Sequence, residues 1–394
     1  MNAACEPAVA QALDVAEFVQ LRRDIHQHPE LAFDEHRTSE LVAQCLSRWG
    51  YKVTRGLGGT GVVGQLRKGT GSKRVGLRAD MDALPIDEQT GLPHASVHAG
   101  VMHACGHDGH TAMLLAAAKQ LAEADFNGTL NLIFQPAEEG FGGAKKMMED
   151  GLFTRFPCDA IFAMHNMPGF KPGQLLFRTG PTMASSENIS ITLHGKGGHG
   201  AMPQTAVDPV VAGASIVMAL QTIVSRNVAP LQMAVITVGS FKAGQANNVI
   251  PQSATLELSV RSLDRDVRKL LNQRIEELVQ AQAQSYGLRA DIAFRGGYPV
   301  LVNTPQETAF ATQIALKLLG PDKVVTQTEA LTGSEDFAFM LEEVPGSYLF
   351  IGNGDASTGG HGACMVHNPG YDFDDSNIAV GAAYWLRLAQ GFLV

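Results

Sequence analysis

The stretch His103-Ala104-Cys105-Gly106-His107-Asp108-Gly109-His110 places three histidines, a cysteine and an aspartate within eight residues. An apolar run from 111 to 120 follows at once and predicts a buried helix directly after this cluster. Cys105 and His107 are two positions apart and can turn toward one point. Thiolate and imidazole suit zinc, nickel, cobalt or manganese far better than calcium or magnesium. The density of ligating side chains therefore favours a metal site over a polar loop with incidental histidines.

Length, composition and charge describe an ordinary globular protein. The chain has 394 residues, which suits about two or three domains. Apolar residues make up 45% and charged residues 18%, and the net charge is −9. This negative balance argues against a nucleic-acid partner.

The cysteines and the N-terminus bear on location. Five cysteines, at 5, 45, 105, 158 and 364, are odd in number and far apart, so they form no disulfide framework. They fit a reducing cytoplasm in which Cys105 stays a thiolate ligand. The N-terminus has neither a basic region nor an apolar run of signal length. No stretch of about 18 apolar residues appears, so we expect no membrane span. We therefore expect a cytoplasmic protein with no membrane partner.

Ligand-type side chains follow three predicted strands in the first half of the chain. Strand 74–79 leads into Asp80, strand 129–135 leads into Glu138 and Glu139, and strand 160–164 ends on His165. Open α/β sheets place their sites at the carboxyl ends of strands. The pattern predicts an α/β layered domain with its chemistry along one edge.

Near residue 183 the pattern changes. The order β-α-β-β-α-β over about 110 residues is typical of a ferredoxin-like unit, and the α/β pattern resumes near 298. We predict that 184–297 is a domain inserted between the two segments of the first domain, 1–183 and 298–394. The fold class is α/β, with a mixed-sheet catalytic domain and an inserted ferredoxin-like α+β domain.

Five side chains at loop edges of the first domain are candidate metal ligands. One tetrahedral zinc uses fewer, so five suit two metal ions about 3.5–4 Å apart that share a bridging ligand, for which we expect the cysteine. The candidates are Cys105, His107, Glu139, His165 and His367.

Glu138 is left over beside Glu139. Adjacent residues in a turn point in different directions, so one carboxylate can bind metal while the other acts as general base toward water. The alternative is two solvated surface charges. It is disfavoured because the pair directly follows an apolar strand that ends in Gln-Pro-Ala.

Several other polar residues are left with two interpretations. Asp80 either fixes a ligand histidine through a hydrogen bond or simply forms a turn, and we favour the first. His103 and His110 either support the site or lie at the surface. Cys364 and His367 form a rival Cys-x-x-His clip, but a closed structural zinc site would need further cysteines nearby. His26 and His28 are predicted at a helix end, and His361 has no assigned role.

The inserted domain carries a glycine-rich turn, Gly195–Gly200, which presents His199. It lacks the Lys-Ser/Thr pair of a phosphate loop. Asn248 and Arg261 are the other polar features. Arg261 can pair bidentately with a carboxylate, although a solvated arginine on a sheet face is the ordinary alternative.

Taken together, these motifs resemble the dinuclear metallopeptidase family of aminoacylase and carboxypeptidase G. The similarity is greatest to its branch of hippurate hydrolases, N-acyl-amino-acid amidohydrolases and indole-acetyl-amino-acid hydrolases. It spans nearly the whole chain, through residues 22–31, 78–85, 103–108, 135–139, 197–200, 248–251, 333–337 and 367–369.

The resemblance implies roles for the candidate residues. The five candidates would be ligands of two divalent ions (Mn, Zn, Ni or Co), Glu138 the general base and Asp80 the acidic residue that supports the metals. Arg78 stands where the wider family has a metal-binding histidine, and Cys105 replaces its bridging acidic residue. In the inserted lid domain, the residues that hold the substrate's carboxylate or polarise its carbonyl would be His199, Asn248 and Arg261. In some relatives the lid histidine reaches a partner's site, and a homodimer or homotetramer through the lid is an expectation of the same origin.

We therefore predict a metal-dependent enzyme that hydrolyses small N-acyl or N-aroyl amino acids, with hippurate as leading model substrate. A dipeptidase or aminopeptidase of the same family is the alternative, but it would need an anionic pocket for a free α-amino group, and the sequence offers no clear one. A third hypothesis is that the chain is a catalytically silent, metal-dependent binding protein. Such proteins usually lose the base or a ligand, and the sequence retains both.

Overall fold

The computed structural model describes residues 14–355, 357 and 359–394. Cys5 and the rest of the N-terminal stretch considered above lie outside the described residues. The chain forms two compact units. The first comprises the described residues up to Gly180 together with Val302–Glu329 and Asp336–Val394, and the second comprises Pro181–Leu301 and Ala330–Glu335. The segment 330–335 was not expected in the second unit, since the predicted boundaries were 183/184 and 297/298.

An eight-stranded mixed sheet forms the centre of the first unit, in the order β1-β2-β4-β3-β5-β16-β6-β15. The four middle strands, β4, β3, β5 and β16, are mutually parallel, while β1 and β2 join antiparallel at one side. The strands are β1 (Lys52–Leu57), β2 (Gly61–Lys68), β3 (Arg74–Asp80), β4 (Gly128–Gln135), β5 (Ala160–Pro168), β6 (Leu175–Leu176), β15 (Val324–Val325) and β16 (Gly346–Gly354).

The helices of the first unit cover this sheet. They are α1 (Ala16–Gln27), α2 (His36–Arg48), α3 (His107–Glu123), α4 (Glu138–Phe141), α5 (Gly143–Glu149), α6 (Leu152–Arg155), α9 (Pro305–Leu319), α10 (Phe337–Glu343) and α11 (Asn377–Phe392). The remaining two helices of the described residues, α7 (Pro209–Asn227) and α8 (Arg265–Ser285), are in the second unit. Short 3-10 turns lie at Pro321–Lys323 and His361–Ala363. The α/β class predicted from the sequence is confirmed.

Strand β4 shows why the carboxyl ends of the strands form one edge. All eight of its residues are buried, as expected for the continuous apolar run of a parallel strand covered on both faces. It pairs in parallel with β3, and the register places Asp80 opposite Gln135. The segments that follow these two residues therefore leave the sheet side by side, which brings the acidic turn after β3 next to the Glu138–Glu139 turn.

Helix α3 is the buried helix predicted after the histidine cluster. Every residue from His107 to Ala118 is buried, and the helix packs in the core against α1 and α11. It begins after Gly106, whose φ of +84° is left-handed. A Cβ there would lie 2.4 Å from atoms of both Asn166 and Tyr371, so only glycine fits this start.

The second unit contains a four-stranded antiparallel sheet in the order β10-β12-β8-β13, with two long helices. The chain order is the predicted β-α-β-β-α-β. Its elements are β8 (Ser185–His194), α7 (Pro209–Asn227), β10 (Ala234–Ala243), β12 (Ser253–Ser262), α8 (Arg265–Ser285) and β13 (Arg289–Phe294), with a two-stranded ribbon of β9 (Gly198–His199) and β11 (Val249–Ile250) and a 3-10 turn at Pro203–Thr205. Two short strands, β7 (Gly180–Met183) and β14 (Leu301–Asn303), lie where the chain passes between the units.

Helix α7 corrects one expectation from the sequence. It is 19 residues long with a mean hydropathy of 1.4, so by length and composition it could cross a membrane. A core helix passes the same test. One face of α7, with Ala212, Ile216, Leu220 and Ile223, belongs to the core of the second unit. The helix is apolar enough to meet the criterion, and only 33% of its most apolar 18 residues are buried.

We predict that Gly109→Ala lowers the free energy of unfolding. A Cβ at Gly109 would lie 2.5–2.6 Å from three atoms of the buried Phe373 ring. Overpacking costs about 1–3 kcal/mol, and three contacts this short to a buried ring place the cost toward the upper end. It then exceeds the ~1 kcal/mol that alanine gains over glycine inside a helix. The effect is measured as the change in the thermal unfolding midpoint, in the presence of a chelator so that no metal is bound.

Gly239→Ala is the control, because the nearest atom to its Cβ would be 3.9 Å away. A Gly109→Ala protein that is as stable as the original would contradict the packing argument.

Candidate metal centre

The five predicted ligands come from four segments of the first unit and meet in space. Cys105 lies just before α3, His107 is its first residue, and His165 lies within β5; Glu139 follows β4, and His367 lies in the loop after the 361–363 turn. The ligand atoms of Cys105, His107 and His165 lie within 4.8 Å of one another, and so do those of Cys105, Glu139 and His367. The thiol is the member shared by the two groups.

The two groups differ in exposure. In the first, Cys105 Sγ lies 3.4 Å from His165 Nε2, and Cys105 and His107 are buried. In the second, Glu139 Oε1 lies 3.1 Å from His367 Nε2, and the His367 side chain is 51% exposed. One group is therefore enclosed by protein, while the other is open to solvent on the His367 side.

Asp82 orients two of the predicted ligands, and the sequence analysis missed it. Its Oδ1 lies 3.1 Å from His107 Nδ1, and its Oδ2 accepts a 2.9 Å hydrogen bond from the backbone N–H of Glu139. This leaves His107 Nε2 buried without a hydrogen-bond partner among the described residues, as a metal ligand would be. The sequence did contain one indication of Asp82, because this residue lies in the acidic turn after β3, two residues beyond Asp80.

Asp80 has different partners from those predicted. Its carboxylate accepts a 2.7 Å bond from Arg78 and lies 2.6 Å from His110 Nδ1, while His107 Nε2 is 3.8 Å away. Burial alone would raise the pKa of Asp80, but His107, Arg78 and His110 hold it well below the usual value. The histidine bonded to Asp80 is therefore His110, which is outside the predicted ligand set. The predicted role of Asp80 in supporting the metal ligands stays a prediction.

His110 and His103 are both buried, so the surface interpretation of these histidines is wrong. His110 Nε2 accepts the backbone N–H of Asn166 at 2.9 Å, so both of its ring nitrogens have partners within the protein. Neither ring nitrogen of His103 has a hydrogen-bond partner among the described residues. His110 thus supports the segment next to His165.

Arg78 is buried and carries the positive charge behind the site. It bonds Gln135 at 2.8 Å, Asp80 at 2.7 Å and Asp336 at 3.3 Å, and it lies over the Phe337 ring at 5.7 Å. A guanidinium has only donors, so it offers no ligand atom for a cation. Where the resemblance expects a metal-binding histidine, this chain has a fixed cation instead.

The pKa values show how the metal-free ligands are protonated. Burial, with Glu139, Glu138 and Asp80 nearby, raises the pKa of the Cys105 thiol. Burial would lower the pKa of His107, but Asp80 and Asp82 raise it to about 10. Burial and His110 lower the pKa of His165, so this imidazole is neutral. A divalent cation would replace the protons on Cys105 and His107, and the mixed S, N and O donors fit such an ion.

Glu138 lies next to both groups. It is 6% exposed, and one carboxylate oxygen lies within 4.8 Å of a ligand atom of His107 and of Glu139. Its Oε1 accepts the backbone N–H of Asp336 at 3.3 Å, and the Asp336 carboxylate in turn accepts bonds from Gln135 and from the N–H of Ala144. A buried carboxylate held in this way is available as a proton acceptor.

The predicted substrate-binding residues belong to the second unit. His199 pairs with Val249 in the β9–β11 ribbon, and Gly200 N–H donates to Asn248 O at 2.8 Å, so His199 and Asn248 are neighbours and both are exposed. Arg261 lies on β12 and donates a 2.8 Å bond to Ser334 Oγ. Burial lowers the pKa of Arg261, so it is not the fully solvated arginine of the alternative interpretation.

The remaining candidates lie outside the two groups. His26 is in the last turn of α1, where Asp108 lies 2.9 Å from its Nδ1, and His28 caps the same helix. His361 Nδ1 lies 2.8 Å from Gly370 O. Among the described residues, Cys364 belongs to none of the clusters of potential ligands, so the rival clip receives no support.

Comparison with known proteins gives a consistent result. Residues 76–391 match peptidase family M20/M25/M40. Hippurate hydrolase of Campylobacter jejuni is 45% identical over 98% of this chain and 99% of its own length. N-acetyl-L-cysteine deacetylase of Bacillus subtilis is 38% identical over 94% of this chain and 86% of its own. A crystal structure of a dinuclear metal binding peptidase of the M20 family from Bacillus subtilis superposes with a TM-score of 0.82 at 31% identity, covering 96% and 98% of the two chains.

We predict that Asp82→Ala weakens metal binding by about 10–100-fold, the usual effect of removing a group that orients metal ligands. His107 loses the partner of its Nδ1, and the N–H of Glu139 loses its acceptor. Titration of chelator-stripped protein with Mn²⁺ measures the affinity. The exposed Asp87→Ala is the control, and an Asp82→Ala protein with unchanged affinity would refute the role of Asp82.

Proposed function

The chain belongs to peptidase family M20/M25/M40, and from this premise we propose that it is an amidohydrolase of N-acyl amino acids. It hydrolyses the amide bond and releases a carboxylic acid and a free amino acid. The observation that carries the mechanism is the position of Glu138, a buried carboxylate beside five converging ligand-type side chains and additional to both groups.

The residues of the first unit have separable tasks. The five converging side chains would hold two divalent ions, which supply Lewis acidity and make water more acidic. Glu138 takes the proton from the attacking water and returns it to the nitrogen of the departing amino acid. The N–H of Asp336 donates to one oxygen of Glu138 and helps to hold the carboxylate in place.

The preferred acyl group is a finer proposal. The relatives named for hippurate and for N-acetyl-L-cysteine share an amide between an acyl group and an amino acid. Higher identity to the hippurate hydrolase favours benzoylglycine-like substrates over acetyl ones. For such substrates Arg261 would pair with the α-carboxylate, and His199 and Asn248 would contact the carbonyl oxygen.

Metal and location also belong to the proposal. The S, N and O donors suit Mn, Zn, Co or Ni. Cys45, Cys105, Cys158 and Cys364 are free thiols, which supports a reducing cytoplasm.

We predict that Glu138→Gln lowers kcat by about 10²–10⁴-fold, the range supplied by a general base. The amide keeps the size of the side chain but cannot accept the proton. Hydrolysis of benzoylglycine and metal content by elemental analysis are measured together. Glu149→Gln is the control, because Glu149 is the exposed last residue of α5. A fully active, metal-loaded Glu138→Gln protein would eliminate Glu138 as the base.

A substrate panel separates the amidohydrolase from the dipeptidase. Benzoyl-, acetyl- and indoleacetyl-amino acids and free dipeptides are assayed with Mn, Zn, Co and Ni in turn. We expect the highest kcat/KM for benzoylglycine, slow turnover of dipeptides, and loss of activity with chelator. Faster hydrolysis of dipeptides would favour the alternative, and no hydrolysis of any compound would favour the silent binding protein.

A further inference from the structure

Glu35 is a fully buried carboxylate with no role in the mechanism above. It lies at the start of α2, and its side chain accepts three hydrogen bonds. Oε1 accepts the backbone N–H groups of Phe33 at 3.0 Å and of Ala137 at 2.9 Å, and Oε2 accepts the Thr60 hydroxyl at 2.5 Å. The carboxylate thus ties the α2 entry loop to the turn after β4.

The two backbone donors share an unusual conformation. Three non-glycine residues have positive φ among the described residues, and two of them are Phe33 at +65° and Ala137 at +53°. A side chain in the left-handed region is strained and persists only where surrounding contacts hold it. A single buried oxygen, Glu35 Oε1, holds both residues.

Ala137 directly precedes the general base and a predicted ligand. Its φ and ψ of +53° and +44° set the direction in which the chain presents Glu138 and Glu139. If Ala137 relaxed to an extended conformation, both carboxylates would swing away. The N–H of Glu139 is held by Asp82, so Glu35 and Asp82 fix the turn at both ends.

We propose that Glu35 is a positioning residue, which holds Ala137 in its left-handed conformation and thereby places Glu138 and Glu139. The proposal rests on the proposed function for the role of Glu138. The part of the proposal that concerns Glu139 depends only on the position of Glu139 among the candidate metal ligands.

The two ligand groups make the effect asymmetric. Glu139 belongs to the group with Cys105 and His367, and it also lies close to His107 and Glu138, whereas the group of Cys105, His107 and His165 does not include it. Loss of Glu35 should therefore weaken the metal site that contains His367 more than the other site. A general loss of stability would not single out one site.

The test titrates Mn²⁺ into chelator-stripped protein by calorimetry and measures kcat and KM for benzoylglycine. In Glu35→Ala we expect one of the two affinities to fall by about 10–100-fold, the other to fall much less, and kcat to fall with little change in KM. Glu35→Gln should retain most of the metal affinity and most of kcat, because its amide oxygen still accepts the two N–H groups.

The double variant Glu35→Ala/Ala137→Gly distinguishes positioning from simple stability. Glycine adopts positive φ without strain, so the turn no longer needs the carboxylate, and we expect partial recovery of kcat and of the metal affinity that Glu35→Ala lowers. Absence of any recovery, together with intact folding by circular dichroism, would overturn the proposal.

Glu30→Ala is the matched control. Glu30 accepts the N–H groups of Arg37 and Thr38 at the same end of α2, so its loss removes two comparable hydrogen bonds without contact to Ala137. Equal losses of metal affinity in Glu30→Ala and Glu35→Ala would overturn the proposal.

If Glu35→Ala does not fold, Thr60→Val must weaken the same affinity to a smaller extent, and an unchanged affinity counts against the proposal. If the wild-type protein hydrolyses nothing, the proposed function fails. An asymmetric metal titration would then still support the positioning of Glu139.

Discussion

Buried charge is the constraint on which the first unit depends. Four aspartates, Asp80, Asp82, Asp108 and Asp336, are at most 1% exposed. A buried carboxylate without partners is unfavourable by several kcal/mol, so each must face a cation or N–H donors. Two buried arginines provide much of the compensation. Arg78 lies against Asp80 and Asp336, and Arg22 lies 2.7 Å from Asp108. Burial would raise the pKa of Asp108, but Arg22 and His26 hold it well below its usual value.

This compensation explains how loop residues form a rigid site. The ligands lie on four segments at or near the ends of helices and strands, and without further contacts these segments could move. Instead, Asp82 holds His107 and the backbone of Glu139, and the N–H of Asp336 holds Glu138. The supporting groups are themselves fixed by buried partners. Precise placement of the reacting groups before substrate arrives is the condition for efficient acid–base chemistry.

The departures of this chain from its wider family fit the same electrostatics. Cys105 supplies a thiol where an acidic residue is expected, and Arg78 supplies a fixed cation where a histidine is expected. The thiol lies in both ligand groups, and carboxylates around it raise its pKa together with burial. Both effects favour the protonated form of the thiol. Two cations would reverse this balance, so metal binding and thiol ionisation are one coupled event.

The sequence by itself determined the local structure and the chemistry of the ligands. The apolar run at 129–135 predicted a buried strand, and all eight residues of β4 are buried. The density of ligating residues at 103–110 pointed to a segment whose Cys105 and His107 lie close to the other candidate ligands, and Glu138, predicted from its place after an apolar strand, lies beside them. These inferences succeed because hydrophobic period and residue type are local properties.

Only the tertiary structure decided which groups orient the ligands. Asp82 bonds to Glu139, 57 positions away, and Glu35 bonds to Ala137, 102 positions away. The sequence left His110 undecided between surface and support, and it gave no sign of Glu35. Such contacts follow from the order in which β2, β4, β3 and β5 lie side by side. Periodicity shows that a strand is buried but not which strand lies beside it, so the partners of a buried polar group emerge only when the sheet is assembled.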